Sequence, residues 1–100
     1  MTEKLPPIHP GEVLREEFLL PLGISAYRLA KRLGVTQSAI SALLREERGV
    51  SAAMALRLAR CLRTTPQFWQ NLQARYERER AEDALVAELA RIEPLAEAPT

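Results

Sequence analysis

One hundred residues hold one compact domain and leave no room for two. Ala and Leu dominate a chain that is 47% hydrophobic, and a single cysteine, Cys61, excludes an intrachain disulfide framework and a thiolate cluster for zinc. The net charge of +1 conceals a segregation: residues 1–25 carry −2, residues 26–63 carry +6 and residues 64–100 carry −3. A basic centre between acidic ends suits a localised contact with a polyanion, and equally an ordinary solvated face.

In chain order, residues 1–8, with Pro6 and Pro7 adjacent, read as an extended N-terminal arm. Pro10 suits the first position of a helix, with His9 before it as a weak cap. Val13, Leu14, Phe18 and Leu19 give this helix an apolar stripe, and Pro21 with Gly23 is expected to stop it. Ser25 is a good cap for AYRLAKRL, in which Leu29, Ala30 and Leu33 face inward. Gly34 supplies a turn, and Thr36 caps QSAISALLRE with Ile40, Leu43 and Leu44 on the inner side. After a loop ending at Gly49, Ser51 caps a fourth helix that contains Met54, Leu56, Leu58, Ala59 and Leu62.

Thr65 and Pro66 then open a fifth helix, where Phe68, Trp69, Leu72 and Tyr76 supply large apolar surfaces. The pattern leaves open whether this helix runs on through ERERAED, residues 77–83. Leu85, Leu89 and Ile92 recur at helical spacing beyond it, and PLAEAPT marks the end. The reading is an all-α fold of five to six helices, with a helix-turn-helix domain over residues 9–80 and a C-terminal helical extension and tail over 81–100.

Residues 25–45 read as a helix-turn-helix. Ala30 is the small residue at the helix approach, Gly34 makes the turn, and Val35, Ile40 and Leu43 or Leu44 anchor the second helix. In that motif the N-terminal end of the second helix enters the major groove. Gln37, Ser38 and Ser41 are therefore the base-reading candidates, Gln37 because a carboxamide pairs bidentately with adenine. Arg28, Lys31, Arg32, Thr36, Arg45 and Arg48 are the candidates for phosphate contacts, which fix position and salt-dependent affinity. Ordinary solvated surface is the competing reading for each arginine, and helix capping alone would justify Thr36.

No reaction centre assembles. His9, the only histidine, lies beside a proline, so capping or exposure is the better reading. Cys61 reads as a small buried group, and the adjacent acidic pairs splay apart on a helix. An enzyme, a metal and a cofactor are not expected. A membrane span and a secretory leader are not expected either, which leaves a cytoplasmic location as the default.

With HPGE, the segments SAYRLA and MALRLA, and the F-W-x-N-L-Q-x-x-Y run of residues 68–76, the chain from Ile8 to about Glu79 resembles the HigA family of addiction-module antitoxins, also described as VapI-like. The resemblance implies a five-helix phage-repressor-like (lambda repressor-like) fold working as a homodimer. It also implies an antitoxin that neutralises a cognate RelE-like mRNA-cleaving toxin and binds double-stranded DNA, a palindromic operator in its own promoter. By similarity Gln37, Ser38 and Ser41 are the reading positions, and Phe68, Trp69, Leu72 and Tyr76 support the core or the dimer. The chain departs from the family at LLREERGVS, where relatives commonly carry Asn-Gly and this sequence sets Glu46 and Glu47 near the expected path of DNA. The stripe of residues 81–100 extends the dimer, touches a toxin or covers the core, while the arm and first helix are the candidate toxin surface. A stand-alone repressor and an interaction module without DNA binding are the alternative readings.

Overall fold

The chain enters its first helix through His9, whose ring does two jobs at once. Its Nδ1 accepts the Gly11 N–H at 2.8 Å, capping the helix, and the ring packs edge-on against Tyr76 with centroids 4.7 Å apart. His9 is buried, so it is a cap and not an exposed arm residue. Desolvation by burial holds its pKa below the usual histidine value, and the neutral ring is the form that can accept from Gly11. These features come from a computed structural model that describes residues 5–95; the beginning of the expected arm and the end of the expected tail lie outside the described residues.

Helix α1 covers residues 10–22 in three continuous pieces: Pro10–Val13, a π turn over Leu14–Leu19, and Leu20–Leu22. Pro21 does not stop it. The Leu20 N–H reaches back five residues to the Arg15 carbonyl, and the widened turn absorbs a proline that has no N–H and would clash with the carbonyl four residues back. The stop is Gly23, in the left-handed region at φ 64°, with the Ile24 N–H closing onto the Leu19 carbonyl.

The other helices start where local chemistry places them. Ser25 caps α2 (Ala26–Leu33), Thr36 caps α3 (Gln37–Leu44), Ser51 caps α4 (Ala52–Leu62) and Thr65 caps α5 (Pro66–Ala84), each by accepting an N–H three residues on at 3.1 Å. Helix α5 runs unbroken through ERERAED (residues 77–83), with Arg75–Glu79 and Arg78–Glu82 ion pairs along its surface. A short α6 (Val86–Ala90) follows.

The core gathers Leu14, Leu29, Ile40, Leu43, Leu58 and Trp69, all essentially inaccessible. Trp69 is fully buried, with its indole N–H donating to Thr64 Oγ1 at 2.7 Å, while Phe68 reaches the rim of an aromatic cluster with Phe18. Leu85, Leu89 and Ile92 do not cover this core: all three are exposed, with Val86 beside them. Over the described residues the architecture is an all-α, six-helix domain of the phage-repressor type.

Candidate nucleic-acid interface

Helices α2 and α3 meet across Gly34, Val35 and Thr36. Gly34 takes φ 71°, and the Gly34 and Val35 N–H groups close onto Lys31 and Ala30 carbonyls, satisfying the end of α2 as its chain turns. Leu29, Ala30 and Leu33 bury one face of α2, which leaves Tyr27, Arg28, Lys31 and Arg32 outside. Lys31 Nζ lies 5.4 Å from the centre of the Tyr27 ring.

Helix α3 buries Ile40 and Leu43 on its inner side. Gln37 and Ser38 stand exposed on its first turn, and Ser41 is half-buried one turn along, together with Ala39 and Ala42. Because residues three and four apart share a helix face, Gln37 and Ser38 both neighbour Ser41. Thr36 is exposed and accepts the Ala39 N–H, so its hydroxyl proton remains available to a phosphate.

Three groups distant in sequence hold this pair of helices from behind. Gly11 presses against the far end of α3: a Cβ built on it would lie 1.9 Å from the Leu43 carbonyl oxygen. Arg15 donates to the Leu44 carbonyl at 2.6 Å, and Arg57 donates to the Leu33 carbonyl. Each arginine brings positive charge to a helix C-terminus, where carbonyls lack partners. Gln73 fixes the following loop by accepting the Val50 N–H at 2.8 Å, and Gly49 leaves room for that carboxamide. Motif reading at residues 25–45 could not find these supports, although HPGE, MALRLA and the Gln73 of the aromatic run each held one.

The two glutamates of the loop are neutralised in place. Glu46 adopts a left-handed φ of 62°, a conformation that Gly and Asn take most readily, and its carboxylate sits 3.6 Å from Arg15. Glu47 takes two hydrogen bonds from Arg45, at 3.1 and 3.2 Å, which hold its carboxyl below the usual range and raise the Arg45 guanidinium. Arg45 is thus engaged within the loop, whereas Arg28, Arg32 and Arg48 are exposed and carry no ion-pair partner among the described residues. No group of three or more His, Cys, Asp or Glu side chains is placed to hold a metal among those residues.

A capped helix with small polar groups on its leading turn, buttressed behind and flanked by unpaired arginines, defines a DNA-reading helix-turn-helix. The helix-turn-helix family model HTH_3 matches residues 14–69, and the chain belongs to that family, in its HigA and VapI-like group. It is 49% identical over 79 residues to virulence-associated protein I of Dichelobacter nodosus, an alignment spanning 79% of this chain and 73% of that one. Among solved structures it is similar to the Pseudomonas aeruginosa antitoxin HigA with the higBA promoter, at TM-score 0.86 and 46% identity over 90% of this chain and 99% of that one. It is also similar to antitoxin GraA in complex with its operator, at TM-score 0.86 and 46% identity over 96% and 98% of the two chains.

Proposed function

We propose that this protein is the antitoxin of a type II toxin–antitoxin module, acting in the cytoplasm. In this reading it neutralises a RelE-like mRNA-cleaving toxin and represses its own promoter as a homodimer on a palindromic operator. The observation that carries the reading is the pair Gln37 and Ser38, exposed at the start of α3 with the half-buried Ser41 beside them, on a chain 46% identical to an antitoxin seen with promoter DNA. Gln37 offers a donor and an acceptor to a base edge, while Ser38 and Ser41 reach bases or sugar-phosphate. Arg28, Lys31, Arg32, Thr36 and Arg48 grip the backbone, and Arg45 joins them on exchanging Glu47 for a phosphate. Two copies related by a twofold axis set their reading helices about 34–36 Å apart, one turn of duplex. Phe68, Leu72 and Tyr76, at the rim of α5, support the core beside that dimer contact.

A mobility-shift titration with the DNA upstream of the gene, at two salt concentrations and against a scrambled duplex, tests the DNA half. Selective binding that weakens steeply with salt is expected. Co-expression with the small gene adjoining it tests the other half, by copurification and relief of growth arrest. Equal affinity for both duplexes refutes the operator assignment, and a neighbour that neither binds nor arrests growth refutes the toxin.

A further inference from the structure

A second basic surface extends away from the reading helix and shares only Arg28 and Arg32 with the proposed backbone grip. One open cleft of about 720 Å³ is lined by Arg32, Arg57, Arg60 and Arg63 together with Leu56. A neighbouring cleft of about 270 Å³ shares Arg32, Cys61 and Arg63 with it and adds Arg28 and Leu22. Both are built from α2, α4 and the end of α1, and no residue of α3 lines either one. Five guanidinium groups therefore converge on one surface whose described lining contains no carboxylate. Only Arg57 is committed within the fold, to the Leu33 carbonyl; the other four have no ion-pair partner among the described residues.

The surface is also apolar. Leu22 and Leu56 stand 59% and 60% exposed at its rim, with Ile24 and Leu62 half-buried in its floor. A duplex backbone has anionic oxygens for the arginines and nothing for the leucines. A protein segment carrying both carboxylates and aliphatic side chains satisfies both, because Arg pairs bidentately with a carboxylate and a leucine buries itself against leucine. We propose that the α2–α4 cleft docks an acidic, amphipathic segment of a partner protein, with Arg28, Arg32, Arg60 and Arg63 holding its carboxylates and Leu22 and Leu56 its apolar side chains. The docking does not depend on the identity of the toxin. Partner and duplex then compete for Arg28 and Arg32, while Arg60 and Arg63 belong to the cleft alone.

The test uses the whole chain and a fluorescein-labelled synthetic helical peptide with glutamates on one face and leucines on the other. Arg60→Glu with Arg63→Asn removes two clamps outside the DNA-reading set, and Asn tolerates the left-handed φ of 59° at position 63. The peptide should bind the native protein and lose about tenfold affinity in the double variant, with affinity for the upstream duplex changed less than about twofold. Cys61, the chain's one cysteine and exposed in both clefts, supplies a readout without mutation. At a peptide concentration about ten times Kd, its alkylation by iodoacetamide should slow about tenfold. Unprotected Cys61 overturns the proposal even if the double variant fails to fold. So does polyaspartate or polyphosphate displacing the peptide as well as unlabelled peptide does, since charge alone would then suffice. A parallel loss of duplex affinity would reassign the arginines to DNA, and a changed oligomeric state in sedimentation would reassign the cleft to a second copy of this chain.

Discussion

Replacing Gly11 by alanine sets two familiar effects against each other. Glycine inside a helix usually costs about 0.5–1 kcal/mol relative to alanine, so the substitution alone should stabilise the chain. The structure opposes that gain: the new Cβ would stand 1.9 Å from the Leu43 carbonyl oxygen, 3.0 Å from the Leu43 carbonyl carbon and 3.1 Å from His9 Nδ1. Real contacts of this kind do not fall below 3.0 Å, so α1 and the end of α3 must separate by about 1.1 Å. The obstruction is main chain, and no side-chain rotation relieves it. The cost therefore sits at the upper end of the overpacking range, about 3 kcal/mol, and the net loss is about 2 kcal/mol. For a domain of this size that lowers Tm by about 8–16 °C. Thermal melting followed by circular dichroism, with urea unfolding as a check, measures it. A Gly11→Ala protein that melts at or above the native temperature would show that helix propensity wins and that α1 does not press on α3. Operator affinity should fall as well, because the displaced segment is the far end of the reading helix.

Truncating Trp69 to alanine should cost about 3–5 kcal/mol, since the indole is fully buried and its N–H is paired with Thr64; an unchanged melting curve would remove Trp69 from the core. His9 predicts a pH dependence. Its folded pKa lies below the unfolded value of 6.5, so the unfolded chain takes up a proton first. Stability is complete above about pH 6.5 and declines as pH falls toward the folded pKa, and a His9→Asn cap, which does not titrate, should flatten that decline. Equal slopes for the two proteins between pH 7 and pH 5.5 would assign the effect to other groups. Gln37→Ala should leave the melting temperature within about 1 °C while reducing discrimination between operator and scrambled duplex by about 1–3 kcal/mol. If the ratio of the two affinities does not move, Gln37 is not a base reader.

Features set by a few neighbouring residues were legible without a structure. Ser25, Thr36, Ser51 and Thr65 cap the helices they precede, because an N-cap needs one hydroxyl and the N–H three residues on. The turn at Gly34 and the inward set Leu29, Ala30, Leu33, Ile40 and Leu43 follow from spacing in the same way. What escaped were approaches between distant segments. Gly11 against Leu43, Arg15 to Leu44, Arg57 to Leu33 and Gln73 to Val50 each join elements whose juxtaposition no local pattern encodes. Pro21 misled for a related reason: proline rules assume an α-helix with four-residue bonding, and here the preceding turn bonds over five. For Arg45 the relevant signal was close by, since Glu47 two residues later claims its guanidinium before DNA arrives. The engagement is local and surface-exposed, so a phosphate can exchange with it at little cost.

The π turn of α1 also acts as a phase shifter. In a regular helix, residues five apart point about 140° away from each other, so Leu14 and Leu19 could not both face one core. They are both buried here, and the extra residue accommodated between them is what turns the second leucine back inward. Up to Leu14 the helix keeps the angular setting that seats Gly11 on α3; from Leu19 it keeps a different one, which returns Leu19 to the core. A lineage that lost one residue between these leucines would gain a more regular helix and lose the match between its two halves. The length of this segment is therefore under tighter constraint than the polar identity of Glu16 and Glu17, which face solvent.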